Sequence, residues 1–431
     1  MPKAQSGRNG FNFMQGNVLV ITITRVLGMF CRGMVFPYAS LYILALDGEP
    51  AQIGFINSLK PLAGLIMFPI AGYIADRAGR VKLVVLGGYL SGFILLLYVL
   101  APDWKVIALA GLLQGFMVFQ FPPTSAIIAD SLPPQNRGKG IATMNTLAGS
   151  LAIFSPYLAG AVLVIYGEEM GMRLLYGVMM GIYLLSATIN LRFLKETMAP
   201  SKRLDLSSLP QEFKNAYGGI PSMLKQLPPS LKVQAAIIVL GFTSNAIASP
   251  FWVVYTKEHI GLASNEWGLI LLLEALLRNL LSIPSGMIID RYGRAKFIRA
   301  SLLLSLVSMP LFLFPANFTQ VLFVRCVIAV ANALFAPACA ALMADTVPRN
   351  IRGRVMAAIG RGSVMLGPSA GGTGGPGMGF LITLPVMLGS LAGGYLYGQD
   401  PASPWFFVLG ATLLALLLSI FSLRDPKQAE V

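Results

Sequence analysis

Twelve long apolar runs constrain this chain more than any other feature of its sequence. A helix needs about 20 mainly apolar residues to cross the hydrocarbon core of a bilayer. Only 12% of the 431 residues are charged, against about 25% in soluble domains. The sequence therefore predicts an all-α polytopic membrane protein with twelve transmembrane helices. Their predicted limits are 16–45, 51–75, 83–101, 104–130, 138–166, 172–194, 233–257, 265–289, 297–315, 318–345, 376–398 and 403–423.

The distribution of lysine and arginine predicts the orientation of these spans. The two ends of the chain and the even-numbered loops hold 24 of the 32 bases, whereas the odd-numbered loops hold 3. By the positive-inside rule, both termini lie in the cytoplasm, and we expect a multi-pass protein of the cell membrane. The net charge of +14 does not indicate nucleic acid as a partner, because the bases sit in short turns between apolar runs.

Two charged sequence motifs each occur twice. The pattern G-x-x-x-D-R-x-G-R-x-K spans Gly72–Lys82 and returns 214 residues later at Gly286–Lys296. The stretch ADSLPPQNRG (Ala129–Gly138) returns 215 residues later as ADTVPRNIRG (Ala344–Gly353). These repeats predict two pseudo-symmetric six-helix bundles, an architecture in which transporters bind substrate near the midplane between the halves.

The predicted division of the chain follows from the repeats and from one polar segment. The bundles occupy residues 1–194 and 233–431, and residues 195–232 form a basic, proline-containing linker. We expect one amphipathic helix near 207–218, lying at the membrane surface.

The repeated turns are predicted to act as a gate. Gly72 and Gly286 would let helix backbones approach closely, and Asp76 and Asp290 would cap a neighbouring helix or pair with an arginine. An ion pair at such an interface can lock one conformation and release it in another. The predicted gating residues are Gly72, Asp76, Arg77, Arg80, Gly286, Asp290, Arg291, Arg294, Asp130, Arg137, Asp345 and Arg352.

The same turns match the signature loop of the major facilitator superfamily, and the chain resembles that family over its whole length. The resemblance implies a secondary transporter that works by alternating access in a rocker-switch motion, with the turns as latches of the cytoplasmic gate. The alternative is that the turns only set topology. The chain departs from the family in helix 4, where many members, especially drug/proton antiporters, have an arginine. Gly111 stands there, and Arg325 occupies the pseudo-equivalent position in the second half.

Six ionisable residues fall well inside predicted spans, and each costs about 2.5–3.5 kcal/mol at a helix centre, so each is a functional candidate. Arg25 has the alternative of reaching back to the headgroups. Glu274 precedes Arg278 by four residues and could pair with it within one helix, or pair with Lys60 across the halves. The six are Arg25, Arg32, Lys60, Glu274, Arg278 and Arg325.

Five bases against one acid indicate a site that attracts a small organic anion. In the family, helices 1, 4, 7 and 10 would line the central cavity, so polar residues on those helices join the site. The predicted substrate-binding residues are Arg32, Arg325, Lys60, Arg25, Gln114, Asn245, Trp252 and Asn332. Glu274, with Arg278, is the predicted proton-coupling group, because intramembrane acids serve as proton relays.

A glycine-rich stretch, Gly367–Gly379, precedes the eleventh span. It is predicted to be a flexible loop, or else a gate or a nest of backbone N–H groups that binds an anion.

Several functions remain open at this point. Multidrug export and lipid flipping are alternatives within transport, and a non-transporting receptor or scaffold is the alternative outside it. We predict no enzyme, catalytic residue, metal site or cofactor, since His259 has no triad or ligand cluster near it in the sequence. The expected partners are a small-molecule substrate, protons as the coupling ion and membrane lipid, and the expected oligomeric state is a monomer.

Overall fold

The structure, a computed structural model, describes residues 13–75, 77–198, 207, 209–218, 225, 227–347 and 380–425. Within them, twelve long helices confirm the predicted all-α membrane fold. They are α1 Asn17–Ala45, α2 Pro50–Ala75, α3 Arg80–Val99, α4 Trp104–Ser131, α5 Pro134–Tyr166, α6 Glu168–Phe193, α7 Pro229–Glu258, α8 Ser264–Tyr292, α9 Arg294–Leu311, α10 Phe318–Thr346, α11 Phe380–Gln399 and α12 Ser403–Ser422.

Eleven of these helices in the described part of the chain are long and apolar enough to cross a membrane. The exception is α9, because Arg294, Lys296 and Arg299 all fall in its first two turns. The helix ends at Leu311, four residues before its approximate predicted limit at 315. Residues 312–315 are still apolar except for Pro315, and hydropathy alone cannot separate a helical end from an apolar turn.

A shorter helix, Leu209–Gly218, lies where the amphipathic linker helix was expected. We call it the linker helix. It packs against α2.

The helix contacts repeat between the first six helices, the N half, and the last six, the C half. In the N half α1 packs against α5 and α6, α2 against α4, and α3 against α6. In the C half α7 packs against α11 and α12, α8 against α10, and α9 against α12. This is the pseudo-symmetry that the sequence repeats predicted, although the predicted boundaries at 194 and 233 stay a prediction.

The two halves meet along two helix pairs, α2 with α11 and α5 with α8. Glycine makes both approaches close, as small residues do between membrane helices. A Cβ on Gly394 would lie 2.9 Å from the Cα of Gly54 on α2. A Cβ on Gly268 of α8 would lie 2.6 Å from the Tyr38 hydroxyl and 2.8 Å from the Tyr157 Cα on α5.

These contacts lie at one end of the bundle, which we call the far end, opposite the basic end that carries Arg80 and Arg294. One hydrophobic cluster at the far end includes residues of both halves, from Tyr38 and Tyr98 to Trp252 and Trp405. At the basic end each half has its own separate cluster. In the described part of the chain, the halves are therefore joined at the far end and form separate cores toward the basic end.

Short 3-10 segments interrupt α1, α4 and α7 at Phe36–Tyr38, Met117–Gln120 and Ser249–Phe251. Each contains or closely precedes a proline, which removes a helical N–H and breaks the regular ladder. All three segments contribute residues to the wall of the central cavity.

Candidate functional site

A cavity lies between the halves, and most of its wall comes from the N half. The cavity has a volume of about 170 Å³. A single buried water molecule needs roughly 10–15 Å³ of such volume. The C half contributes Ser249, Pro250 and Thr383. The cavity is large enough for a small organic molecule and lies between the two halves.

Two cations face this cavity, Arg32 from α1 and Lys60 from α2. The Arg32 Nε donates a hydrogen bond to the Tyr183 hydroxyl on α6 at 3.0 Å, which orients the guanidinium and leaves its two terminal nitrogens for a ligand. The Lys60 ammonium lies 4.9 Å from the centre of the Phe36 ring and lines the same cavity as Arg32. No carboxylate is among the described residues that line the cavity.

Neutral polar groups complete the wall. Gln114 on α4 donates to the backbone carbonyl of Ser91 at 2.8 Å, and Gln120 donates to the Ser91 hydroxyl at 3.2 Å. Tyr98 and Tyr176 stack with ring centres 4.5 Å apart. These contacts bridge α3, α4 and α6, so the polar wall is held by packing within the N half.

The buried acid Glu274 pairs with Arg325, which joins α8 to α10. Glu274 is 3% exposed and Arg325 is fully buried. Glu274 was expected to pair either with Arg278 on its own helix or with Lys60 across the halves. In the structure its ion-pair partner is Arg325. Helix periodicity could not show it, because the partners lie 51 residues apart in the chain.

Arg325 also lies over aromatic rings. Its guanidinium carbon is 4.5 Å from the centre of the Trp252 ring and 5.8 Å from that of Trp267. The Trp252 ring is in turn 4.1 Å from that of Phe312 and 5.7 Å from that of Trp405. Trp252, predicted to bind substrate, thus lies in the hydrophobic cluster of the far end and not in the cavity wall.

The predicted substrate-binding residues therefore separate into two groups. Arg32, Lys60 and Gln114 line the cavity together. The others, which lie outside its lining, are Arg25, Arg325, Asn245, Trp252 and Asn332. Sequence reasoning missed Tyr183, because no charge pattern or motif in the sequence marks it.

The described residues hold no group of three or more His, Cys, Asp or Glu side chains that could bind a metal ion.

Comparison with known proteins identifies the family. The model of the Major Facilitator Superfamily matches residues 21–227 and 235–431. The chain belongs to the Major Facilitator Superfamily. It is a membrane transporter of that family, and the family's members carry small-molecule substrates.

Relatives and structures agree with this assignment. The chain is 27% identical over 351 residues to "Multidrug resistance protein MdtG" of Escherichia coli O9:H4, covering 76% of this chain and 80% of that one. The crystal structure of the nucleoside transporter NupG superposes with a TM-score of 0.67 at 14% identity, covering 94% and 98% of the two chains. A bacterial homologue of the iron transporter ferroportin, in an inward-facing state, gives 0.68 at 16%, with the same coverage.

The two signature loops of this superfamily member make equivalent contacts. Arg80, at the start of α3, pairs with Asp130 near the end of α4. Arg294, at the start of α9, pairs with Asp345 near the end of α10. Each predicted arginine therefore binds an aspartate of the second repeat motif within its own half.

A carboxylate also caps the helix that follows each loop. Glu196 accepts a hydrogen bond from the Val81 backbone N–H at 3.0 Å. Asp425 accepts from the backbone N–H groups of Arg294 and Ala295, both at 3.0 Å. An anion at a helix N-terminus satisfies its orphan donors and is attracted by the helix dipole. Neither Glu196 nor Asp425 was singled out in the sequence, because both follow the end of a span.

The remaining gating residues make local contacts. Arg77 lies 3.8 Å from the centre of the Tyr73 ring, Arg137 donates to the carbonyl of Ala129 at 3.0 Å, and Asp290 lies 3.8 Å from Arg294. Arg291 lies 5.4 Å from the ring of its neighbour Tyr292. Asp76, Arg352 and Gly367–Gly379 are outside the described residues.

The close helix approach expected at Gly72 and Gly286 stays a prediction. Among the described residues, a Cβ on either glycine would meet no atom within 4 Å. The close approaches between the halves that the structure describes lie at the far end.

Proposed function

We propose that this transporter exports small organic anions and that Arg32 and Lys60 hold the anionic group. The observation that carries the proposal is the composition of the cavity wall: two cations face it, and its described lining holds no carboxylate. Arginine presents a planar fork to a carboxylate or phosphate, and lysine adds a point charge. An anion between them would relieve the repulsion between the two cations.

The apolar part of the wall sets the rest of the substrate. Phe36, Phe68, Phe121, Met117 and Met179 line the same cavity. Aromatic and methionine side chains adapt to varied apolar shapes. The proposed substrate therefore combines one anionic group with an apolar or aromatic body.

We further propose that the basic end faces the cytoplasm, following the 24 bases predicted for that side, and that the protein acts as a monomer in the cell membrane. Export is supported by the name of the relatives, multidrug resistance protein. Proton coupling is proposed for Glu274, since protonation of its carboxylate would dissolve the buried pair with Arg325.

The second candidate function is broad export of lipophilic cations or lipids. The name of the relatives and the aromatic and methionine wall favour it. The two unopposed cations of the cavity count against a cationic substrate, because like charges disfavour binding in a partly buried site.

The test is thermal unfolding of the purified protein in detergent, screened against anionic, cationic and lipid-like compounds. A ligand at 100 times its Kd stabilises a two-state protein by about 2.7 kcal/mol. We expect aromatic anions to raise the melting temperature of the wild type and to lose that effect in Arg32→Ala and Lys60→Ala. The matched control is Lys105→Ala, which removes an exposed base at the far end. If only cations or lipids raise the melting temperature, and do so equally in Arg32→Ala, the second candidate function is the correct one.

Proton coupling has a separate test in proteoliposomes. We expect Glu274→Gln to abolish the dependence of transport on an imposed pH gradient. The exposed Glu258 provides the control, Glu258→Gln, which should keep that dependence. A Glu274→Gln variant that still follows the pH gradient would exclude this residue as the coupling group.

A further inference from the structure

A proline inside α2 leaves one backbone carbonyl without its helical donor. Pro69 has no N–H, so the carbonyl of Leu65, four residues earlier, cannot form its helical hydrogen bond. An unpaired carbonyl in a membrane helix is costly, because the bilayer core has no water to satisfy it.

The linker helix supplies the missing donor. The Tyr217 hydroxyl donates a hydrogen bond to the Leu65 carbonyl. Tyr217 lies one turn after Phe213, and their ring centres are 6.3 Å apart, so the two rings share one face of the linker helix. Because the linker helix packs against α2, this face is the docked one.

The docking point lies on the face of α2 that meets α11 at the far end. Leu65 and Gly72 follow Gly54 by 11 and 18 residues, which places all three within about 20° of one another around a 3.6-residue helix. A Cβ on Gly54 would lie 2.8 Å from the Cα of Gly394 on α11, whereas a Cβ on Gly72, at the basic end, would meet no atom of the described residues within 4 Å. Tyr217 therefore contacts the face of α2 that packs against α11 at the far end, about three turns closer to the basic end. At this level Gly64 and Phe68 of α2 line the cavity together with Thr383 of α11.

We propose that the linker helix is a wedge that holds the transporter open at its basic end. The hydroxyl of Tyr217 recognises the carbonyl that Pro69 leaves unpaired, and this bond exists only while α2 and α11 are apart. When the basic end closes, α11 takes the place of the tyrosine on this face and the linker helix withdraws. The linker thus biases the alternating-access equilibrium and does not merely connect the halves.

The C half offers a natural comparison. Pro284 lies inside α8 and removes the donor for the carbonyl of Leu280, whose side chain is 73% exposed. The linker helix lies against α2. Restoring a helical N–H at position 284 should therefore leave the wedge unaffected.

The test measures how fast a reagent reaches the cavity from each end of the protein. This measurement does not require the substrate to be known. Cys31, Cys326 and Cys339 are replaced by alanine, and Ser249→Cys places one thiol in the cavity wall. A membrane-impermeant maleimide is applied to membrane vesicles of either orientation. The ratio of the alkylation rate from the basic end to that from the far end reports the open-state equilibrium.

Tyr217→Phe removes only the hydroxyl and keeps the ring beside Phe213, so the fold should be preserved. We expect it to lower the rate ratio roughly two- to tenfold, the effect of one net hydrogen bond. In a Pro69→Ala background the residue-69 N–H satisfies Leu65, and Tyr217→Phe should change the ratio little. In a Pro284→Ala background the full change should return. An unchanged ratio in Tyr217→Phe, or an equal change with and without Pro69, would overturn the proposal.

Discussion

Removing the buried acid of the C half should destabilise the protein far more than removing its basic partner. Arg325 is fully buried and Glu274 is 3% exposed, and each is the other's ionic partner. Replacing Glu274 by leucine leaves a guanidinium that cannot lose its proton at any accessible pH. An uncompensated buried charge of this kind costs about 3–5 kcal/mol of unfolding free energy.

Arg325→Met should cost less, because the remaining carboxyl can take up a proton and become neutral. The double variant Glu274→Leu/Arg325→Met should recover most of the stability lost in Glu274→Leu, since apolar residues of similar volume often replace a buried pair without loss. The Trp252 ring, 4.5 Å from the guanidinium carbon, is present in all variants and does not compensate for the lost acid.

The assay is a denaturant titration in detergent micelles with all four proteins measured at one pH. The reasoning is refuted if the double variant is no more stable than Glu274→Leu, or if Arg325→Met is the more damaging single change. Either result would show that Glu274 and Arg325 do not form the buried ion pair seen in the structure.

The far-end contacts give two further predictions. Gly268→Ala places a Cβ 2.8 Å from the Tyr157 Cα, so far-end closure should be strained by about 1–3 kcal/mol and cavity thiols should react faster from the far end. The matched control is Gly410→Ala on α12, whose Cβ would meet no described atom within 4 Å, and it should behave as wild type. The ion pair of Lys257 with Glu168 joins the halves, so Lys257→Glu should also speed far-end labelling, and adding Glu168→Lys should reverse the change. Because the Lys257 side chain is 42% exposed, the effect should be about two- to fivefold at low salt and fade at high salt.

The helices were largely predictable from the sequence because membrane spans depend on local composition. Apolar runs and prolines located twelve helices and the linker helix, and the repeat offset predicted their pairing into halves. Helix ends were located only to within about four residues: α9 ends at Leu311 although the apolar run continues beyond it.

The site was only partly predictable, because contacts between helices depend on depth and rotation that no local pattern fixes. Arg32, Lys60 and Gln114 line one cavity as expected. Arg325 instead lies in the core, where it pairs with Glu274, 51 residues away in the chain. The bond from Tyr217 to the Leu65 carbonyl crosses 152 residues and follows from the absence of one N–H at a proline. A pattern search for charged or polar side chains does not register a missing backbone donor.

The central claim is that Arg32 and Lys60 select an anion for transport, and its most direct test is flux in proteoliposomes. The labelled substrate would be an aromatic carboxylate or phosphonate that stabilises the wild-type protein, with a matched neutral amide as the comparison compound. The account predicts transport of the anion and little of the amide, and at least a tenfold loss of anion flux in both Arg32→Ala and Lys60→Ala, while Lys105→Ala transports normally. Equal flux of the two compounds, or undiminished anion flux in Arg32→Ala and Lys60→Ala, would contradict it.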